Sequence, residues 1–403
     1  MSISILKCFA SRYFHIYTKE CYILTYIDLD ELFTKEKIVK YIREVIEQNK
    51  ILSKKIIEIS NNHYLIDAEY LNIDEHYSVV HAKHEDFDNY TKDIFNTKIE
   101  TFLKWKFVWF VDETLLKTRM YFKINHSYVD GYTLINILTS PFKHKDVTSN
   151  FKRKANNILD QIYYYIIGTI VVIILTIQVC INNIVQKMYK HKEEITEDFS
   201  TTKDDYIICE SFNLSDIKIF TKKQNITIND FLYSLMIKTD NKYRKKEKLL
   251  TTMFPINVSG ITQPTNELGI YNVIKNSMDN YSLLKNVNNT FNCLKFSLYI
   301  PIVTFLINKI DPFLFINNYI NDLYTCNIDY VFTNMIGPDI KNFETKITDI
   351  HFLCNNLYKE VIYSIISCNN NINIICSFKE GIIEDKKEYE KCIYESYNEI
   401  MKL

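Results

Sequence analysis

His126 is the side chain whose surroundings best suit proton transfer. It follows a strand-like run from Met120 to Asn125, and Asp130 and Gly131 come between it and a helical pattern. An imidazole at the end of a strand can face a cleft and act as a general base, while a nearby carboxylate fixes the local backbone or the ring. Gly131 permits a turn that a Cβ would obstruct. Because this spacing is common, a purely structural histidine is the alternative interpretation.

Strand and helix patterns alternate on both sides of His126. Apolar spacing predicts helices over 34–47 and 132–137, and period-two alternation predicts strands over 51–67 and 104–125. This order of elements is typical of an α/β fold.

The second half of the chain continues with the same kinds of element. Thr227, Asn229 and Asp230 precede an apolar-periodic segment from Phe231 to Ile237, as residues do at the N-terminal cap of a helix. Other predicted elements are core strands over 328–336 and 361–376 and an amphipathic helix over 384–403.

Composition excludes several classes of protein. The chain has 403 residues, enough for roughly two domains. Its 47% apolar content excludes a disordered chain. The 48 Lys and Arg residues are balanced by 49 Asp and Glu residues, so there is no excess of positive charge that would indicate nucleic-acid binding. The ten cysteines form no Cys-x-x-Cys pair and none stands at metal-ligand spacing from a histidine, so we expect free thiols in a reducing compartment and no metal site.

Residues 161–186 carry no charge, and Ile162 to Ile177 are almost wholly apolar or aromatic. A membrane-spanning helix needs ~20 such residues. The segment therefore predicts membrane contact, with a buried core helix as the alternative. We divide the chain into an N-terminal lobe (1–155), an apolar membrane-associated segment (156–190) and a C-terminal lobe (191–403).

Short motifs along the chain resemble, in order, those of the wax ester synthase/diacylglycerol acyltransferase (WS/DGAT) family. The segment from Phe122 to Gly131 is similar to the family's HHxxxDG signature, with Asn125 in place of the first histidine. The other similar segments are Asn72 to His76, Lys104 to Trp109, Ile226 to Asp230, Phe254 to Val258, Leu268-Gly269 and Phe332 to Pro338. The resemblance covers most of the chain and implies a two-lobed, chloramphenicol-acetyltransferase-like α/β fold with the apolar segment inserted between the lobes.

The resemblance also implies an O-acyltransferase. A fatty acyl group would pass from acyl-CoA to a long-chain alcohol or diacylglycerol, giving wax esters or triacylglycerol, with acyl-CoA as co-substrate and no resident cofactor. His126 matches the proposed base, and Asp130 and Gly131 complete the motif. We expect Asp130 to be structural, bonded to the backbone or to an arginine such as Arg119. The candidate substrate-binding residues are Asn125, Trp105, Asn229, Asp230 and Asn334.

The two lobes must share one cleft, which constrains the apolar segment. A single crossing by 162–181 would put the lobes on opposite sides of the membrane. Unless the second apolar stretch, Leu298 to Ile307, crosses back, we expect the segment to dip into the bilayer or lie at its surface. We expect a location at the endoplasmic reticulum membrane, with the active site facing the cytosol. Two alternatives stay open: a small alcohol or amine as acceptor, and an inactive lipid- or acyl-CoA-binding membrane protein, which the loss of a histidine at Asn125 favours.

Overall fold

The computed structural model resolves three sheets and the helices that pack on them. It describes residues 3–5, 21–59, 62–142, 202–245, 250–257, 268–275, 279–296, 329–338, 345–356 and 361–403, with the isolated positions 166, 169 and 170. In chain order the strands are β1 (Ile3–Ile5), β2 (Tyr22–Leu29), β3 (Lys54–Ile59), β4 (Asn62–Asp67), β5 (Tyr77–His81), β6 (Trp105–Asp112), β7 (Lys117–Asn125), β8 (Asp204–Ile208), β9 (Phe212–Asn213), β10 (Leu250–Asn257), β11 (Leu268–Lys275), β12 (Tyr330–Ile336), β13 (Ile347–Cys354), β14 (Val361–Cys368) and β15 (Asn371–Lys379). The helices are α1 (Lys35–Gln48), α2 (Phe87–Asn96), α3 (Gly131–Thr139), α4 (Leu214–Lys223), α5 (Ile228–Arg244), α6 (Asn280–Phe296) and α7 (Lys386–Met401).

The first sheet has the strand order β13-β2-β7-β6-β5, antiparallel except between β5 and β6. The second sheet has the order β11-β10-β12-β14-β15-β8, with β9 also paired to β15. In it, β12 runs parallel to both β10 and β14. A small third sheet has the order β1-β4-β3.

The two strands before His126, β6 and β7, are held in place by side chains buried in a shared core. On β6, Trp105, Phe107 and Trp109 point to one face and are fully buried, and Ile124 and Phe122 of β7 lie in the same core. Helix α1 covers this core with five buried side chains at helical spacing: Ile38, Tyr41, Ile42, Val45 and Ile46.

Strand β13 joins the two halves of the molecule. It lies within the predicted C-terminal lobe, 191–403, yet it is the edge strand of the first sheet, where Ile350 stands opposite Ile27 of β2. Met335 and Ile366, from β12 and β14 of the second sheet, belong to the core under the first sheet. The segments 1–155 and 191–403 therefore do not form two independent sheets.

The structure confirms most of the predicted elements. The region 104–125 is the β6–β7 hairpin, the predicted N-terminal cap at Thr227 begins α5, and the predicted tail helix is α7. The region 361–376, predicted as core strand, contains β14 and the first part of β15, and Asn369 and Asn370 adopt positive φ angles where the chain turns back between them. The apolar segment 156–190 lies almost wholly outside the described residues. Among the helices that are described, none has the length and apolarity to cross a membrane.

Candidate active site

The turn from Asn125 to Gly131, called here the His126 turn, is fixed by its neighbours on both sides. The backbone N–H of Asn125 donates to the carbonyl of Lys104 (2.8 Å), and that of His126 donates to the carbonyl of Cys21 (2.8 Å). Strand β7 therefore ends at a defined point, between the start of β6 and the start of β2. His126 is the first residue beyond the sheet.

Asn125 stabilises the turn through its side chain. Its Oδ1 accepts hydrogen bonds from the backbone N–H of Ser127 (2.9 Å) and from the Ser127 hydroxyl (2.5 Å), and the residue is buried. A short amide side chain that binds the backbone two residues later is a usual stabiliser of tight turns. We predicted a substrate contact for Asn125, whereas the structure places its carbonyl oxygen inside the turn.

His126 is half-buried, and its ring is neutral at physiological pH. Burial lowers the pKa of His126 to about 4, against an opposing effect of backbone hydrogen bonding at His126 itself and at Val129. A neutral imidazole is the form that can accept a proton. The geometry therefore permits the general-base role that the sequence predicts.

Asp130 caps the helix that follows the turn. Its Oδ1 accepts a hydrogen bond from the backbone N–H of Thr133 (2.7 Å), the geometry of an N-cap residue of α3. The predicted alternative partner, Arg119, instead binds Asp28 through two nitrogens (2.6 and 3.0 Å) and also contacts Asp88. Arg119 does not bind Asp130, because Asp28 and Asp88 hold its guanidinium near the start of β7, whereas Asp130 lies beyond the end of that strand.

Gly131 lets strand β12 approach the His126 turn. A Cβ built on Gly131 would lie 2.5 Å from the sulfur of Met335, well inside normal van der Waals contact. Met335 is buried among residues of the first sheet's core. The glycine of the motif is therefore a point of close contact between the two halves of the molecule.

Asn334, the residue before Met335, connects β12 to the start of α5. Its Nδ2 donates to Oδ1 of Asn229 at 2.5 Å. The adjacent Asp230 is fully buried and its Oδ2 accepts from the backbone N–H of Thr227 (2.7 Å) and from Nδ2 of Asn288 (2.7 Å). Asp230 thus forms a capping box with Thr227 and ties α6 to α5. We call these four side chains, Asn229, Asp230, Asn288 and Asn334, the α5 cluster.

The second sheet opens beside Asn334. Strand β12 pairs with β14 from Tyr330 to Ile336, but the described residues of β10 pair with β12 only opposite Tyr330 and Val331. The ends of β10 and β12 therefore separate where β12 reaches the His126 turn. Among the described residues, β12 beyond Val331 therefore has no strand partner on its β10 side.

Trp105 lies in the core and not at the site. It is fully buried, its Nε1 donates to the carbonyl of Leu52 (2.8 Å), and its ring stacks on His76 with centroids 4.1 Å apart. A side chain with no exposed surface cannot contact a substrate in this arrangement. The prediction of a binding role for Trp105 is corrected to a structural one.

The structure thus places His126, Asp130 and Gly131 in one turn, with Met335 of β12 against Gly131, while the adjacent Asn334 binds Asn229. Sequence reasoning missed Met335, Ser127 and Asn288. An asparagine followed two residues later by a serine is typical of a tight turn, so the sequence could have indicated Ser127. No local pattern marks Met335 or Asn288. Within the described ranges, no group of three or more His, Cys, Asp or Glu side chains is placed to hold a metal ion.

Comparisons with known proteins show which family and which fold the chain resembles. Residues 268–401 match the family model described as the WS/DGAT C-terminal domain. A comparison with curated proteins finds no significant match.

Three solved structures illustrate the similarity in fold. One is a wax ester synthase/diacylglycerol acyltransferase from Marinobacter aquaeolei VT8, 11% identical over 98% of each chain, with a TM-score of 0.62. The TRI3 trichothecene 15-O-acetyltransferase from Fusarium sporotrichioides is 9% identical over 99% of this chain and 95% of its own, with a TM-score of 0.67. The condensation domain of the monacolin K polyketide synthase MokA is 10% identical over 100% and 97%, with a TM-score of 0.60.

At these identities the structures show the fold, and the family model adds the WS/DGAT assignment of the C-terminal third. The chain has the mixed α/β fold of the CoA-dependent acyltransferases, built on its two larger sheets, and its similarity to the WS/DGAT family is confirmed.

Proposed function

We propose that the protein is an O-acyltransferase that transfers a fatty acyl group from acyl-CoA to a long-chain alcohol or diacylglycerol, with His126 as general base. The observation that carries the proposal is the position of a neutral imidazole at the end of β7, where Gly131 meets Met335 of the second sheet. A base at the junction of two sheets can act on a substrate that enters between them.

The residues support direct transfer between two bound substrates. His126 takes the proton of the acceptor hydroxyl while that oxygen attacks the thioester carbonyl. The carbon–sulfur bond then breaks, the thiolate leaves, and the protonated ring returns the proton to it as CoA thiol. One ester and one thiol result, and no acyl-enzyme is needed.

The separation of β10 and β12 supports a route for the thioester arm. Backbone N–H and C=O groups on an open strand edge require partners. The pantetheine arm of CoA is extended and carries two amides, so it can pair with the edge of β12 as a short strand would. Asn334 then lies beside the arm, held by Asn229.

The acceptor and the membrane are the finer parts of the proposal. Long-chain alcohols and diacylglycerol reside in bilayers, and an apolar segment at 162–181 that dips into the membrane brings the site to them. We also propose a location at the endoplasmic reticulum membrane, with the active site facing the cytosol.

The test is product formation by the purified protein from labelled acyl-CoA and a panel of long-chain alcohols, diacylglycerols, small alcohols and amines. We expect an ester of a long-chain acceptor, and a loss of turnover of ~100-fold or more in His126→Ala. The matched control is His81→Ala on the exposed edge strand β5, where the side chain is 67% exposed and activity should not change.

Each alternative has its own outcome in the same assay. Activity retained within twofold in folded His126→Ala contradicts the role of the base. A product formed only with small alcohols or amines favours the alternative acceptor class. Binding of acyl-CoA without any product from the wild-type protein favours an inactive binding protein.

A further inference from the structure

A cavity of about 240 Å³ opens on the first sheet's side of the molecule, outside the site described above. It lies near the same end of the sheet as His126, because Leu103 lines it and the next residue, Lys104, accepts the hydrogen bond from Asn125. Its walls are formed by Lys55, Glu69, Tyr70, Asn72, Glu75, His76, Phe102 and Leu103. Neither the proposed chemistry nor the family resemblance gives this cavity a role.

His76 lines the cavity, and its ring carries a hydrogen-bond acceptor. The residue is 97% buried, and its Nδ1 is 2.9 Å from the carbonyl oxygen of Trp105, which can only accept. Nδ1 therefore carries the proton and Nε2 carries a lone pair. Among the described residues, none forms a hydrogen bond with Nε2. Burial lowers the pKa of His76, so the ring remains an acceptor at neutral pH.

Two aromatic rings border the cavity and are exposed to an unusual degree. Tyr70 is 74% exposed and Phe102 is 62% exposed. Rings that project from a surface cost hydration free energy and are often retained where they contact a partner. Their π faces attract cations within about 6 Å of the ring centre.

A cation already occupies this position. The ammonium group of Lys55 lies 4.9 Å over the ring of Phe102 and 4.0 Å from the carboxylate of Glu69. Glu75, held by a hydrogen bond from Asn72 (3.0 Å), adds a second carboxylate beside His76. The walls of the cavity therefore include two carboxylates, a neutral imidazole and two aromatic rings, with Lys55 as the one lysine among them and Lys106 close to His76.

We propose that this cavity is a binding site for an organic ammonium group, which displaces the Lys55 side chain from Phe102. Carboxylates and π faces favour a cation, and they disfavour phosphate and other anions. The group can come from a free amino alcohol or from the headgroup of a choline lipid, and both present the same chemistry. The proposal does not depend on acyl transfer.

The test is titration of the full-length protein with choline at constant ionic strength, followed by NMR shifts or calorimetry. The neutral isostere 3,3-dimethylbutan-1-ol serves as the comparison, because it has the same shape and hydroxyl but no charge. We expect choline to bind at least about fivefold more tightly, in line with cation–π and carboxylate attraction. Equal binding of the two molecules, or no binding of choline, would overturn the proposal.

Two substitutions in the cavity should change the affinity for choline in opposite directions, and so test whether choline binds there. Phe102→Leu removes an exposed ring and should weaken choline binding severalfold without affecting the fold. Lys55→Met removes the internal competitor and should strengthen binding about threefold. Lys37→Met is the matched control, since Lys37 lies 4.2 Å over the ring of Phe33 elsewhere on the lobe and its loss should change nothing. If Lys55→Met weakens binding or leaves it unchanged, the displacement proposed here is wrong.

A vesicle assay separates the two sources of the ligand. Binding to phosphatidylcholine vesicles over phosphatidylglycerol vesicles, lost in Phe102→Leu, assigns the site to a lipid headgroup. Choline binding without that vesicle preference assigns it to a free amine. A preference for phosphatidylglycerol that survives Phe102→Leu, with no choline binding, contradicts the proposal.

Discussion

The His126 turn and the α5 cluster both contain motif residues, but different kinds of contact hold them. In the turn, the side chains of Asn125 and Asp130 bind Ser127 and Thr133, two and three residues away, and backbone N–H groups reach the distant Lys104 and Cys21. In the cluster, Asn229 binds Asn334 and Asp230 binds Asn288, partners that are 105 and 58 residues distant in the chain.

This difference separates two tasks. Local bonds give the turn a geometry of its own, which keeps the base at the end of β7. Long-range hydrogen bonds in the cluster link α5, α6 and β12. We expect that losing these bonds would disturb the position of β12 next to the His126 turn. Substitutions in the cluster should therefore affect the stability of the whole protein more than substitutions in the turn.

Asp230→Ala should have the largest effect on stability. The change removes a buried carboxylate and leaves the N–H of Thr227 and the amide of Asn288 without their acceptor, at a cost of about 2–4 kcal/mol in the free energy of unfolding. Urea denaturation measures it. Asp385→Ala is the control, because Asp385 caps α7 at the surface through Glu388 and should cost less. Equal losses of unfolding free energy in the two variants would contradict the expectation that the α5 cluster stabilises the protein more than a surface helix cap does.

The neutral state of His126 predicts a dependence of stability on pH. The folded pKa of about 4 lies below the ordinary 6.5, so the unfolded chain binds more protons between these values. The stability contributed by neutral His126 is complete above about pH 6.5 and is lost as the pH falls toward 4, by at most about 3 kcal/mol. Comparing unfolding of the wild type with His126→Gln between pH 7 and 4.5 isolates this effect. A difference that stays constant with pH contradicts the low pKa.

Asn125→Ala should destabilise the protein by about 1–2 kcal/mol, because it removes both hydrogen bonds that close the turn. It should also lower turnover, since His126 follows directly. The control is Asn72→Ala, where a half-buried Asn side chain accepts from the backbone N–H of Asp74 (3.2 Å) in a similar local bond outside the His126 turn. If both substitutions leave turnover unchanged, the turn does not position His126.

Gly131→Ala should have the smallest effect on stability, because the long side chain of Met335 can move away from an added methyl group. We expect a loss of about 1 kcal/mol in the free energy of unfolding, together with a fall in turnover as the displaced Met335 side chain repacks beside the turn. Met335→Ala in the same chain makes room for the methyl group. A double-mutant cycle should therefore show coupling between the two positions, and strict additivity would mean that they do not touch.

Sequence patterns identified the local features well. Apolar periodicity located α1 and α7, and the Thr-x-x-Asp spacing predicted the cap at Thr227 because such bonds join residues three apart. The same reasoning placed His126 correctly at the end of a strand. In each case the stabilising contact lies within a few residues, so the sequence shows both partners together.

Contacts between distant segments could not be predicted in this way. Nothing near Trp105 shows that Leu52 would accept its N–H and remove it from the site. Likewise, the amide of Asn334 gives no sign that its partner lies on α5, and β13 has the pattern of any buried strand. Choosing the partner sheet requires the packing of the whole chain, which no local window contains.

The position of β13 has a consequence for biosynthesis. Its partner β2 is complete by residue 29, but Ile350 must be made before it can pair with Ile27. Until then β2 presents an open, hydrophobic edge, which invites pairing with other chains. Pairing across so many residues is also intrinsically slow, because the loop-closure entropy comes before any gain from the contact. A nascent chain arrested before β13 should therefore need protection of that edge, and a fragment ending near residue 340 should aggregate even though it contains the whole His126 turn.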